Sequence, residues 1–150
     1  MGIVIAVTSG KGGTGKTSVT GGVASCLARL GKRVLCIDMD IGLRNLDISL
    51  GLSDRALMDF SDVAEGRCPL VRAAVNHPDL PGLALLTAPM TLSSALTEEA
   101  VRRMLDTARS LYDYVLIDSP AGLGTGFRMA CCGADRAIVV STNDASSLRD

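Results

Sequence analysis

The sequence has no tryptophan, two phenylalanines, two tyrosines and a single histidine among 150 residues. An aromatic share of 3% argues against an aromatic-rich sandwich and leaves the core to Val, Ile, Leu and Ala, the mix that suits buried strands alternating with helices. The five cysteines, Cys26, Cys36, Cys68, Cys131 and Cys132, are odd in number and lack both a C-x-x-C pair and any His-containing metal spacing. They read as reduced thiols of a cytosolic protein. Cys26 and Cys36 fall on apolar positions of a helix and a strand, where Cys acts as a small hydrophobe. An iron-sulfur role for the vicinal Cys131 and Cys132 would need ligands from a partner subunit. Positive charge is not in excess either: the net charge is -1 and the pI about 5.8, so no global field holds nucleic acid by its phosphates and DNA is an unfavoured partner. No apolar run is long enough to span a bilayer. The opening MGIVIAVTSG lacks a basic n-region and a cleavage pattern, and reads as a strand rather than a leader.

What is present is glycine, 16 residues of it, and 47% hydrophobic residues, enough for the packed core of one domain. The short β-branched run Ile3 to Val7 looks like a buried parallel strand. A helix is expected from Lys16 to Leu30, with Val19, Val23, Cys26, Leu27 and Leu30 along one face and Gly31 as its stop. Val34 to Ile37 is the second strand and ends in Asp38 and Asp40. A weaker helical pattern with Leu57, Phe60 and Val63 precedes Gly66, and a short one begins at Pro69. Leu83 to Thr87 reads as a strand. Thr97 caps the clearest helix, whose apolar face carries Val101, Met104, Leu105, Ala108 and Leu111. Tyr114 to Ile117 and Ala137 to Ser141 are the last strands, and Ser146 to Asp150 opens a helix too short to bury a face. This alternation predicts an α/β fold with about five parallel strands and helices on both faces, binding ligands at the strands' carboxyl ends.

One segment on that edge has a specific chemistry. Gly10 to Thr17, GKGGTGKT, fits the P-loop pattern G-x-x-x-x-G-K-[ST] and lies between a strand and a helix. Glycines let the amides of Gly13, Gly15, Lys16 and Thr17 converge on phosphate oxygens, and the helix N-terminus adds partial positive charge. Lys16 would bridge terminal phosphates while the Thr17 hydroxyl ligates magnesium. Asp118, at the end of YVLID, is placed as a Walker B carboxylate. A further carboxylate near the terminal phosphate can orient water, and the residues alone leave Asp38 and Asp40 both open for that task.

SGKGGTGKT, with Lys11 as an extra lysine, resembles the deviant Walker A motif of the MinD/ParA ATPases, P-loop NTPases of the SIMIBI type. IDMDIGLRNLDISLGL from Ile37, DSPAG from Asp118 and SSLRD from Ser146 bring the resemblance closest to the MinD branch. It runs the whole length of the chain but covers only about the first half or more of a typical member. The resemblance implies an ATP/ADP site formed by Gly10, Lys11, Gly12, Gly13, Thr14, Gly15, Lys16, Thr17 and Ser18, with Mg2+ held by Thr17, Asp38 and Asp118. It implies an ATP-dependent homodimer in which Lys11 reaches the partner's phosphates and Asp40 positions water. Arg44 and Asn45 would lie in a first switch and Ser119 to Gly122 in a second. Partners implied are division-inhibitor and topological-regulator proteins of the Min type, and a membrane surface contacted through a C-terminal amphipathic helix beyond Asp150. The implied location is the cytoplasm, peripheral to the inner face of the cell membrane.

Residues 1 to 150 are therefore expected to form the N-terminal part of a single P-loop ATPase domain regulating septum placement. Relatives carry an acidic residue near Gly124 and a Pro where Asp144 stands, so contacts there are expected to differ. Competing readings are a ParA-like DNA-partitioning ATPase, an iron-sulfur carrier ATPase and a non-hydrolysing interaction module. The apolar strand AIVVS is expected to expose an unpaired edge and make these 150 residues poorly soluble or marginally stable.

Overall fold

The computed structural model describes residues 1 to 149; Asp150, the last residue of the expected terminal helix and of the SSLRD stretch, lies outside the described residues. A six-stranded sheet is formed by β1 (Ile3–Thr8), β2 (Val34–Asp38), β3 (Val75–Asn76), β4 (Leu83–Leu86), β5 (Tyr114–Asp118) and β6 (Arg136–Val139), in the order β3-β4-β2-β5-β1-β6. The five longer strands are mutually parallel. The expectation of five parallel strands omits only β3, a two-residue antiparallel strand at one edge. So short a strand leaves no alternation to read.

Alternate residues of each strand supply two cores. On one face Leu35, Ile37, Val115 and Ile117 pack with α3 (Phe60–Ala64), α4 (Leu70–Ala73), α5 (Glu98–Leu111) and α6 (Thr125–Cys131). On the other, Val34, Cys36, Leu85 and Leu116 pack with α1 (Lys16–Arg29) and α2 (Asn45–Ser49). Val101, Met104, Leu105 and Ala108 are buried as the helical spacing requires, and the Thr97 hydroxyl accepts the Ala100 amide at 3.2 Å. The weak pattern near Leu57 resolves differently: Leu57 is exposed, and Asp59 and Asp62 form a reciprocal capping box that starts α3 at Phe60. The fifth expected core position of α5, Leu111, is only partly buried.

The largest departure concerns α1. Its buried face is Thr20, Gly21, Ala24 and Ala28, whereas Val19, Val23 and Leu27 are half-buried and Cys26 and Leu30 exposed. Small side chains let the helix lie close to β2 and β5 and fit Gly21 against Ser49 of α2. The larger residues, read as the core stripe, would hold the helix off the sheet. Cys26 is accordingly not the buried small hydrophobe expected, while Cys36 is, with burial pushing its thiol pKa up.

β6 ends the sheet on the side of β1, with Arg136, Ala137 and Val139 exposed. A short helix, α7 (Ala145–Arg149), follows and buries only Ser147. Among the described residues no helix is long and apolar enough to cross a membrane.

Two outcomes follow from this packing. Ala24→Leu, which forces extra volume against the sheet, lowers unfolding stability in urea by about 1–3 kcal/mol, while Cys26→Ser shifts it by less than about 0.5 kcal/mol. Val139→Lys on the open edge lowers concentration-dependent aggregation as read by light scattering.

Candidate functional site

β1, β2 and β5 deliver the chemistry. Asp38 and Asp118 are register partners at the ends of adjacent strands, and Val7 pairs with Asp118. The loop leaving β1 turns through Gly13 at φ 74° and Gly15 at φ 90°, left-handed conformations that side chains resist. Gly15 is the N-cap of α1 and has no side chain to satisfy the first amides. The helix thus opens toward the loop with donors free for an anion.

Lys16 is 8% exposed, and its ammonium lies 3.6 Å from Asp118 Oδ1. Thr17 donates its hydroxyl to Asp118 Oδ2 at 2.6 Å, and Thr20 reaches Asp118 Oδ1 at 3.5 Å while bonding the Lys16 carbonyl at 2.9 Å. Burial raises the Asp118 pKa, opposed by the Thr17 hydrogen bond and the Lys16 charge. Asp38 turns both oxygens to backbone amides: Oδ1 to Asp40 at 2.9 Å and Oδ2 to Leu46 at 3.2 Å. Its pKa is pushed up to about 6, first by burial; the two amides pull it down and the nearby Asp118 and Asp40 raise it further.

A cavity of about 720 Å³ stands in front of these groups, within the range of small-ligand sites. Gly12, Gly13, Thr14, Gly15, Lys16, Thr17 and Ser18 line one side, Asp40 and Asn45 another, Pro120 and Ala121 a third. Asp40 therefore borders the cavity, and Asp38 does not. The Thr14 hydroxyl is buried without a hydrogen-bond partner; such an orphan beside converging amides fits a polar ligand with acceptor oxygens. Among the described residues no group of three or more His, Cys, Asp or Glu could hold a metal by itself. The Thr17 hydroxyl and Asp118 beside a phosphate site nonetheless suit magnesium, which takes few protein ligands and completes its shell with phosphate and water.

Lys11 does not line the cavity. Its ammonium lies 3.6 Å from Asp144 Oδ1, and its carbonyl accepts the Ser9 hydroxyl at 2.8 Å. Gly10 is half-buried beside it. Ser119, first residue of the second expected switch, is fully buried and its amide donates to the Val7 carbonyl.

Two contributors, Thr20 and Ser9, escaped the sequence reading, as did the left-handed conformation of Arg44, a residue of the expected first switch. Thr20 touches Asp118 and is recognisable only through its helical spacing from Lys16. Ser9 anchors the loop through a bond within two residues, a turn signal of low specificity. Arg44 caps α2 with φ 48° and is held there by its Nε–H bond to the Ala88 carbonyl at 2.8 Å. No sequence pattern announces a left-handed Arg.

A family model described as AAA domain matches residues 2–149. The septum site-determining protein MinD of Bacillus subtilis is 44% identical over 152 residues, covering 100% of this chain and 57% of that protein. The Helicobacter pylori MinD is 45% identical, covering 100% of this chain and 56% of that protein. The chain thus spans little more than half the length of these relatives. Among solved structures, the MinC:MinD cell division protein complex of Aquifex aeolicus superposes with a TM-score of 0.89 at 44% identity, over 98% of this chain and 59% of that one. MinD of Pyrococcus horikoshii, complexed with Mg-ADP, gives 0.85 at 29% identity, over 99% and 61%.

The raised Asp38 pKa sets a pH dependence. Between the ordinary carboxylate range near 4 and about 6, the folded protein holds a proton that the unfolded chain has released, so stability falls as pH rises through this window. In chelator, without nucleotide, urea unfolding should therefore show greater stability at pH 5 than at pH 7. Asp38→Asn should flatten that slope; an equal slope in the variant refutes the assignment.

Proposed function

The chain belongs to the AAA domain family, and on that premise we propose that it is the nucleotide-binding part of an ATP-hydrolysing dimerisation switch of the MinD type. In this reading residues 1 to 150 are the N-terminal part of one ATPase domain, and the whole protein regulates septum placement by nucleotide-dependent association with the membrane. The observation that carries it is the joining of the phosphate loop to the end of β5: Lys16 and Thr17, which line a cavity together with the loop glycines, both engage Asp118. The high identity to septum-site proteins supports the MinD type over a ParA-like DNA-partitioning or iron-sulfur carrier role.

The residues divide the work by position. Amides of Gly13, Gly15, Lys16 and Thr17 would bind phosphate oxygens, with the partnerless Thr14 hydroxyl as a further donor. Lys16, buried and already oriented, would neutralise the terminal phosphates. Thr17 and Asp118 would hold magnesium, with Asp38 in support; the ion would supply charge neutralisation on the phosphates. Asp40 borders the cavity and has its amide fixed by Asp38, which favours it as the group orienting water. Lys11 does not line its own cavity and is half-exposed beside Asp144, a placement that favours delivery to the phosphates of a second subunit, as an arginine finger is delivered in trans. ATP-dependent homodimerisation, Min-type regulators and a membrane surface are the partners this reading implies.

Magnesium-dependent ATP binding and turnover test it. Lys16→Ala should abolish ATP binding measured by calorimetry. Asp40→Asn should retain binding and lose turnover by about two orders of magnitude or more. Failure of the unaltered chain to bind ATP in magnesium would refute the reading.

A further inference from the structure

β1 and β6 are parallel neighbours, so the loops leaving their carboxyl ends emerge side by side. The first carries Lys11 and the second Asp144, and the two side chains meet at 3.6 Å with 44% and 45% of their surfaces exposed. Exposed ion pairs are ordinarily weak, because ordering two long side chains cancels most of the attraction. Here one partner is ordered already. Asp144 Oδ1 accepts the Ser147 amide at 2.8 Å, capping the start of α7, and Oδ2 accepts the Thr142 hydroxyl. The Lys11 backbone is tied down by Ser9. Only the lysine side chain loses freedom when the pair forms.

We propose that Asp144 is an intramolecular counter-ion that parks Lys11 against its own subunit and competes with delivery of that lysine to the phosphates of a second copy. The proposal rests on the nucleotide-dependent dimer reading and adds a restraint to it. Lys11 has to part from Asp144 before it can serve another subunit, while Asp144 keeps its two other bonds and α7 stays capped. The restraint is therefore modest, salt-sensitive and reversible, acting on the association step rather than on nucleotide capture at Lys16.

The test uses the full 150-residue chain. Asp144→Asn keeps an oxygen for the Ser147 amide, since Asn caps as well as Asp, but removes the charge. The chain has three lysines, Lys11, Lys16 and Lys32, so lysine-selective isotope labelling gives three side-chain signals in NMR, with Lys11 identified by its loss in Lys11→Gln. Without nucleotide, Asp144→Asn should move the Lys11 signal and leave Lys32 in place, and added salt should shift the unaltered chain's Lys11 signal toward the variant's. With magnesium and a slowly hydrolysed ATP analogue, sedimentation at low salt should show self-association about two- to fivefold tighter in Asp144→Asn, an increase absent in the Lys11→Gln background. An unmoved Lys11 signal overturns the ion pair. A moved signal with unchanged association overturns the restraint. If neither protein self-associates with nucleotide, the dimer reading falls and the restraint with it, whereas the ion pair is judged by the NMR signal alone.

Discussion

Asp118 is the point at which the phosphate loop and the sheet are fastened together. Its two oxygens receive the Thr17 hydroxyl, the Thr20 hydroxyl and the Lys16 charge, and its main chain continues β5 between β1 and β2. A carboxylate buried to 1% exposure would be costly alone. Surrounded by these donors it becomes a fixed reference for α1, so the direction of the helix N-terminus is set by the sheet and not by the flexible loop. The small inner face of α1 completes the constraint from the other side, since Ala24 and Ala28 allow the helix to lie against β2 and β5.

A second buried carboxylate organises the opposite wall. Asp38 gives its oxygens to the amides of Asp40 and Leu46, which fold the intervening segment back over the cavity and start α2. The turn needs a left-handed Arg44, an unfavourable conformation for a side-chain-bearing residue, secured by the Ala88 carbonyl. The wall opposite the loop is thus held by these polar bonds together with the apolar burial of Met39 and Leu46.

Much of this was legible because the informative signals are local. The P-loop spacing, the acids at strand ends and the Thr97 cap each depend on residues within a few positions, and the structure puts them on one edge or at the expected helix start. The misreadings came where a tertiary fit decided the matter. α1 carries two candidate faces, one of Val and Leu and one of Ala, Gly and Thr; hydrophobicity selected the first, and closeness to the sheet selected the second. Likewise Asp38 and Asp40 are equivalent by composition, and only the direction of each side chain separates the acid that braces the turn from the acid that borders the cavity. The Lys11 to Asp144 contact depends on β1 and β6 being neighbours, information that no window of sequence contains.

The hydrogen bond between Thr17 and Asp118 spans 101 residues of chain. During synthesis the glycine loop leaves the ribosome before its acidic anchor, which is made 101 residues later. Until β5 slots between its neighbours, Lys16 lacks Asp118 to orient it and α1 lacks the central strand of its floor. On the proposed reading, competence to hold a triphosphate would double as a report that the central strands have assembled in their proper order, and a chain that ends before β5 would have little means of sequestering nucleotide.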